Sequence, residues 1–391
     1  MLIIFMISII LILVHYIFYP VLLLVYSKSK RKKNSVKPFN PPYISFIIPV
    51  YNEEKIIKDK ITNIYSLNYP KDKFEIIIIN DKSLDKTAEI VKNLSKKYEN
   101  LKFLDLKIRS GKVNAQNEGV KIAKGEIFIF TDADILLKED SVINLINELI
   151  INNASCATGK FVYLNQLESS TSYYESLYQK IENKLKEMES NFYSLTSLSG
   201  SLYAIKRKDY KFLDSMFSHD IAMPFYLALD KKITIFVKNA IAFGKSGKSS
   251  KEEWQRKVRM FGRVYYFLFK NFKLIFNPFK FDLKFYISFF SHRIIRYLLP
   301  LLHILNFISL IFIYNQNIFL KFLFFVHIII FLFVFFGYLS IYIKFFKPLY
   351  VFYYYILFLL SMIYGFIRVI TGRIRPYWEV VQSVRNFNNK K

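Results

Sequence analysis

Asp132 and Asp134 stand one residue apart at the end of Ile127-Phe128-Ile129-Phe130-Thr131, an apolar run that suits an inner strand of a parallel sheet. The carboxyl end of such a strand is where α/β proteins bind ligands, and two carboxylates there suit a divalent cation completed by substrate phosphates. Taken alone, the pair fits a turn or a helix cap equally well. Its neighbours change that. The run Ile44–Val50 leads into Tyr51-Asn52-Glu53-Glu54, where Asn52 is expected to cap a helix carrying Ile57, Ile61 and Ile64, and Glu53 can face a ligand. A second run, Phe74–Asn80, leads into Asp81-Lys82-Ser83-Leu84-Asp85-Lys86-Thr87, whose polar groups could hold a ribose or base edge, with Asp85 as a helix cap. Next, Gly111-Lys112 opens a helical segment. Glycine permits close backbone approach to a phosphate and lysine supplies a point charge, but the Walker A spacing is absent. Acids at successive strand ends with a Gly-Lys loop among them describe a site for a nucleoside diphosphate and a metal.

Pro49-Val50-Tyr51-Asn52-Glu53-Glu54, Asn80-Asp81-x-Ser83-x-Asp85-x-Thr87, Gly111-Lys112-x-x-Ala115-x-Asn117-x-Gly119 and Thr131-Asp132-Ala133-Asp134 together resemble the ordered motifs of the family 2 glycosyltransferases. The likeness is closest to membrane-embedded members, which include poly-N-acetylglucosamine, cellulose and hyaluronan synthases and ceramide glucosyltransferase. It continues through Ser199-Gly200-Ser201-x-Tyr203-Ala204, His219-Asp220 and Arg256-Lys257-Val258-Arg259-Met260. The resemblance implies an α/β domain of the GT-A type with a mostly parallel sheet. Tyr51, Glu53 and Asp81 would hold the uridine of a UDP-sugar, Lys112 would lie near the diphosphate, and Asp132 would seat the nucleotide sugar. It also implies Asp134 as the ligand of Mg2+ or Mn2+, Gly200 and Ser201 at the acceptor site, Asp220 as catalytic base, and Arg256 and Arg259 as a diphosphate clamp. A base opposite the leaving group gives inversion at the anomeric carbon. Two positions depart from the pattern: His219 replaces an acid, and Met260 replaces the Trp of processive synthases, which leaves lipid and polysaccharide acceptors both open.

The elements that must position these residues belong to a membrane protein. Of 391 residues 53% are hydrophobic, and they gather at the two ends. Residues 2–26 are long enough to cross a hydrocarbon core of about 30 Å. The cluster Lys28, Lys30, Arg31, Lys32, Lys33 and Lys37 then places the next stretch of chain in the cytoplasm. Three further spans are expected near 294–313, 318–343 and 349–370. Lys344 and Lys347 on one side of the last span, and Arg368, Arg373, Arg375 and Arg385 on the other, both call for the cytoplasm. That segment is therefore re-entrant or interfacial, or one basic group lies outside. Phe261 to Phe281 interleaves aromatics with lysines and arginines and reads as helices on an anionic membrane surface.

The expected organisation is an anchor (1–27), a basic linker (28–43), a catalytic domain (44–251), interfacial helices (252–284), a membrane bundle (285–371) and a basic tail (372–391). A net charge of +26 raises nucleic acid as a partner, yet the basic clusters flank apolar runs and are accounted for by anionic membrane lipids. Cys156, being single, excludes an internal disulfide. His303 and His327 either mark a translocation path or satisfy helix carbonyls. Partner subunits for export are compatible with this plan. The competing readings are a transporter or channel with a nucleotide-sensing domain, which the small number of spans disfavours, and a sugar nucleotidyltransferase, which needs no membrane bundle.

Overall fold

A computed structural model describes residues 1–27, 40–247 and 249–377; the cluster Lys28–Lys37 and the end of the tail, Arg385 included, lie outside the described residues. Eight strands make one sheet: β1 (Ile44–Val50), β2 (Phe74–Asn80), β3 (Leu101–Asp105), β4 (Ile127–Thr131), β5 (Leu136–Leu137), β6 (Cys156–Tyr163), β7 (Leu202–Lys206) and β8 (Thr234–Gly244). Their spatial order is β3-β2-β1-β4-β7-β6-β8-β5. From β3 to β4 all pairings are parallel, with Val50 beside Asn80 and Ile47 beside Phe130, so the exits of β1, β2 and β4 share one rim. Beyond β4 the sheet is mixed. β7 runs antiparallel to β4 and pairs Leu202 with Thr131, which sets Ser199-Gly200-Ser201 beside the β4 exit. The parallel half thus supplies strand ends to the rim, and the antiparallel strand supplies a strand beginning.

Every residue of β1, β2 and β4 is buried, as expected of inner strands covered on both faces. Alternate side chains serve two cores. On one face Phe46, Ile48, Ile76, Ile78 and Ile129 meet helix α1 (Ile57–Tyr65), with Ile57, Ile61 and Ile64 turned inward as the spacing predicts, while helix α2 (Thr87–Lys97) adds Val91. On the other, Ile47, Ile77, Ile79, Phe128 and Phe130 meet helix α3 (Lys112–Ile122). Helix α4 (Ser141–Ile151) completes the first layer. The second layer takes in helix α6 (His219–Leu229) and helix α7 (Ser250–Lys270), and it continues without a break to Phe285, Phe289, Tyr297 and Met362. Catalytic domain and apolar helices therefore share a core.

Among the described residues four helices are long and apolar enough to cross a membrane: Leu2–Tyr26, Leu283–Gln316, Ile318–Leu339 and Lys344–Ile370. The second begins before the expected residue 294, because its charged stretch His292, Arg293 and Arg296 does not end the helix. Those side chains are buried against the long helix α5 (Ser170–Phe192). The reading of Phe261–Phe281 as surface helices also needs correction. Phe261, Val264, Tyr265 and Phe267 are buried in the shared core, and the outward aromatic face starts later, at Phe269, Phe272, Phe276 and Phe279.

The last apolar helix lies along α7 in parallel. Tyr350 meets Thr171 at 2.8 Å and Ser250 at 3.0 Å, the rings of Phe358 and Phe261 are 5.2 Å apart, and those of Phe366 and Phe269 are 5.7 Å apart. Beyond it, Arg263 donates to the carbonyl of Pro376. Both ends of this helix thus lie against the folded domain, Tyr350 at Thr171 and Pro376, beyond the other end, at Gly111. Cysteines at Lys347 and Arg373 are therefore expected to react with a membrane-impermeant maleimide from the same side as the catalytic domain, Cys156 being buried and silent. Labelling from opposite sides would establish a full span instead.

Candidate active site

The Asp132-Ala133-Asp134 turn is held from beneath by Lys60. This lysine occupies the inward face of α1 and is fully buried; its Nζ donates to Thr131 Oγ1 at 2.9 Å and to the Ile135 carbonyl at 2.6 Å. Burial depresses its pKa, the charges of Asp132 and Asp134 pull the other way, and the net result is about 7. Above the turn, Lys112 reaches across from the start of α3 and places Nζ 2.5 Å from Asp132 Oδ1. Gly111 caps that helix at φ +90°, a conformation open to glycine at no steric cost. Asp81 fixes the loop: its carboxylate accepts from the amides of Ser110 at 2.6 Å and Gly111 at 2.9 Å. Asp81 is fully buried, so the structure gives it a loop-holding job besides the uridine contact that the resemblance implies.

Ser83, Asp85 and Thr87, expected to offer polar edges to a ribose or base, are spent inside the protein. The amide of Asn52 donates to Ser83 Oγ, that of Glu53 to Thr87 Oγ1 and that of Glu54 to Asp85 Oδ2, stitching the β1 exit to the β2 exit. Asp85 also accepts from the Thr87 amide at 3.0 Å, one residue ahead of the cap position, which Lys86 occupies. Asn52 is not a helix cap. It sits at φ 54° and accepts from the Leu84 amide, while the helix starts only at Ile57. The stitch leaves Tyr51 packed at the rim with the Arg109 guanidinium 3.7 Å above its ring.

Glu53, Lys112, Asp132, Asp134, Gly200, Ser201, Asp220, Arg256 and Arg259 line one cavity of about 420 Å3; Tyr51 and Asp81 do not line it. Asp220 lies in the first turn of α6, with the ring Nε2 of His219 3.1 Å from its Oδ1. Burial lowers the His219 pKa, which favours neutral imidazole beside the carboxylate. Gly200 faces the same carboxylate: a Cβ there would come within 2.8 Å of Asp220 Oδ1. Arg256 is less free than a clamp requires, because Glu175 (2.6 Å) and Glu253 (2.8 Å) already hold it. Arg259, one turn on, is half-buried in the cavity wall.

Residues 45–213 match the model of glycosyl transferase family 2. They form a family 2 glycosyltransferase domain. The chain is 34% identical over 191 residues to a poly-beta-1,6-N-acetyl-D-glucosamine synthase of Staphylococcus epidermidis, covering 48% of this chain and 46% of that one. It is 26% identical over 274 residues to a probable glycosyltransferase of Bacillus subtilis, covering 64% of each. The chain thus spans less than two thirds of either relative. Among solved structures, a mannosyltransferase from Pyrobaculum calidifontis in complex with GDP-Man and Mn2+ superposes with a TM-score of 0.69 at 19% identity, covering 95% of this chain and 99% of that one. The fold of the glycosyltransferase domain is therefore GT-A, with the apolar helices included in the match.

Sequence reasoning missed three cations of this domain and its surroundings: Lys60, Lys186 and Arg263. Two left a signal. Lys60 shares a helical face with Ile57, Ile61 and Ile64, and Arg263 follows Arg256 and Arg259 at helical spacing. Gly200→Ala is expected to push the Asp220 carboxylate aside and lower kcat by at least about 10-fold, a fraction of the 10²–10⁴ typical of a positioned base. Nucleotide affinity should stay within about twofold. An unchanged kcat would show that Gly200 does not set the carboxylate's position.

Proposed function

We propose that this protein is an inverting glycosyltransferase that moves a sugar from a nucleoside-diphosphate donor, a UDP-sugar in the first instance, to a hydroxyl of a membrane-associated glycan or lipid. The observation that carries this reading is Asp220, whose carboxylate shares one cavity with Asp132 and Asp134 and is given room by Gly200. Relatives named as synthases of an N-acetylglucosamine polymer, and a fold relative solved with a nucleotide sugar, support it.

A divalent metal fits the residues present. Glu53, Asp132 and Asp134 line one end of the cavity with Lys112 set against them, and among the described residues no group of three or more His, Cys, Asp or Glu side chains could hold a metal ion alone. Such a donor set suits a cation that takes one or two carboxylates and draws its remaining ligands from phosphates and water. Asp134 would hold Mg2+ or Mn2+, which when bound supplies positive charge to the departing diphosphate. Tyr51 and Glu53 would face the nucleoside, and Asp81 would act through the Gly111 loop that it fixes. Lys112, released from Asp132, would turn to the phosphates together with Arg259, while Arg256 would contribute its charge from the pair with Glu175. Asp220 removes the acceptor proton from the side opposite the leaving group, so an α-linked donor gives a β-linked product. Gly200 leaves room for that carboxylate, and the His219 ring stands 3.1 Å from it. Gly200 and Ser201 border the acceptor, and the chain would sit in the cell membrane with this domain on the cytoplasmic face.

Asp220→Asn should keep UDP binding in calorimetry while transfer falls by about 10²–10⁴; transfer at the wild-type rate would sink the assignment. Asp134→Ala should remove the dependence of UDP binding on Mg2+ or Mn2+, and an unchanged metal dependence would place the cation elsewhere. Membranes incubated with a panel of radiolabelled UDP-sugars should pass label to an organic-extractable product or to high polymer. Nucleotide binding with neither product would favour the sensing reading.

A further inference from the structure

Lys60 occupies a position that an apolar residue would fill more cheaply. It lies on the face of α1 that carries Ile57, Ile61 and Ile64, and it is fully buried. A lysine there loses the water that solvates its charge, and an ammonium without a counter-ion is costly in an apolar interior. Its two polar partners are Thr131 Oγ1 and the Ile135 carbonyl, neither of which carries a charge. Among the described residues no carboxylate pairs with it directly; the charges it feels are those of Asp132 and Asp134, through space. The two partners stand immediately before and after Asp132-Ala133-Asp134, and the Ile135 amide donates to the Asp132 carbonyl at 3.3 Å. One ammonium therefore ties both ends of the turn that bears the carboxylates.

The other lysine at this end of the cavity is held differently. Lys112 approaches Asp132 from the cavity side, with 18% of its side chain exposed, and has room to turn toward a phosphate. Lys60 has none, because it is enclosed in the core and does not line the cavity. Glu53, Asp132 and Asp134 are thus set against one positive charge that can leave and one that cannot. A bare divalent cation adds two positive charges near a lysine that is unable to retreat, and charges repel more strongly through a protein interior than through water. A cation that arrives on a diphosphate brings its compensation with it. We propose that Lys60 is a positioning residue with a fixed counter-charge, which makes the Asp132–Asp134 turn select a cation–diphosphate complex over a bare divalent cation. This inference rests on the glycosyltransferase reading and concerns how its donor complex assembles. It also accounts for a lysine where packing asks only for an apolar side chain: a neutral residue could fill the space beneath the turn but could not tell the two ligands apart.

The test uses the full chain in lipid nanodiscs with Mn2+ as the probe, free ion being counted by the sharp electron paramagnetic resonance spectrum that bound ion does not give. Wild-type protein should bind bare Mn2+ at least about 10-fold more weakly than it binds Mn2+ in the presence of saturating UDP. Lys60→Met, close in volume, and Lys60→Gln, which keeps a donor for the Ile135 carbonyl, should each tighten binding of bare Mn2+ by at least about 10-fold. Neither should tighten binding of the preformed Mn2+–UDP complex, measured by calorimetry. Lys60→Arg keeps the charge and should leave both affinities within about twofold of wild type. A residue that only supports the turn gives another pattern: its loss weakens bare ion and complex together, and that result would overturn the proposal, as would unchanged affinity for bare Mn2+ in the Met and Gln variants. If both of these misfold, the wild-type comparison decides, and bare Mn2+ held as tightly as Mn2+ with UDP refutes the selection. Wild-type protein that binds no UDP, with or without Mn2+, would refute the glycosyltransferase reading itself. UDP binding that needs Mn2+, in a protein whose Lys60 variants leave bare-ion affinity unchanged, would refute the role of Lys60 alone.

Discussion

Three glutamates seven residues apart on one face of α5, Glu175, Glu182 and Glu189, hold the catalytic domain and the apolar helices in one piece. Each is buried and each draws partners from other segments. Glu175 takes Arg256 at 2.6 Å and Lys257 at 2.8 Å from α7 and the Tyr354 hydroxyl from the last apolar helix. Burial alone would raise its pKa, but the two cations outweigh burial and hold it at about 2. Glu182 takes Arg296, and Glu189 takes His292 at 2.5 Å together with the hydroxyl of Tyr19 in the first helix at 2.8 Å. Ion pairs of this kind contribute little net stability compared with apolar packing, because desolvation offsets attraction. Removing one partner is another matter, costing about 3–5 kcal/mol through the charge left behind. The seam therefore acts as a register device, since helices that slide along α5 strand charges in the interior.

That register determines what faces Asp220. One part of the cavity wall comes from strand exits, where parallel strands bring Glu53, Asp132 and Asp134 to a common rim. Lys186, Arg263 and Arg293 come from α5, α7 and the 283–316 helix, so they line the cavity only when those elements are in place. Asp220 belongs to α6, which is packed into the core that the sheet shares with α7 and the apolar helices.

The strand-exit half of this site was legible in the sequence because it is local. Apolar runs ending in polar clusters gave β1 and β2 their bounds, and Gly111-Lys112 announced the loop that opens α3. The polar cluster after β2 was legible as a site but misread in its use: Ser83, Asp85 and Thr87 look available until the β1 exit is folded against them. The half lined by helices was illegible for a different reason. Glu182 and Arg296 are 114 residues apart, and Arg293 and Thr196 are 97 apart. No periodicity joins such pairs, and a glutamate every seven residues in α5 reads as a solvated stripe until the membrane-side helices cover it. The same charges hid the start of the second apolar helix, since arginines ordinarily end a span and here point inward.

The tail completes the dependence of one half on the other. Pro376 packs on Gly111, where the missing side chain leaves room that any Cβ would close, and its carbonyl accepts from Arg263. Tyr377 shares the Arg109 guanidinium with Tyr51, the two ring centres lying 5.1 and 3.7 Å from it. One short stretch after the last apolar helix thus touches the Gly111 loop, the Arg109–Tyr51 pair at the rim and Arg263 of the cavity wall. Pro376 cannot move without changing both its contact with Gly111 and the hydrogen bond of Arg263, so the loop that opens α3 and helix α7 are joined through residues 376 and 377.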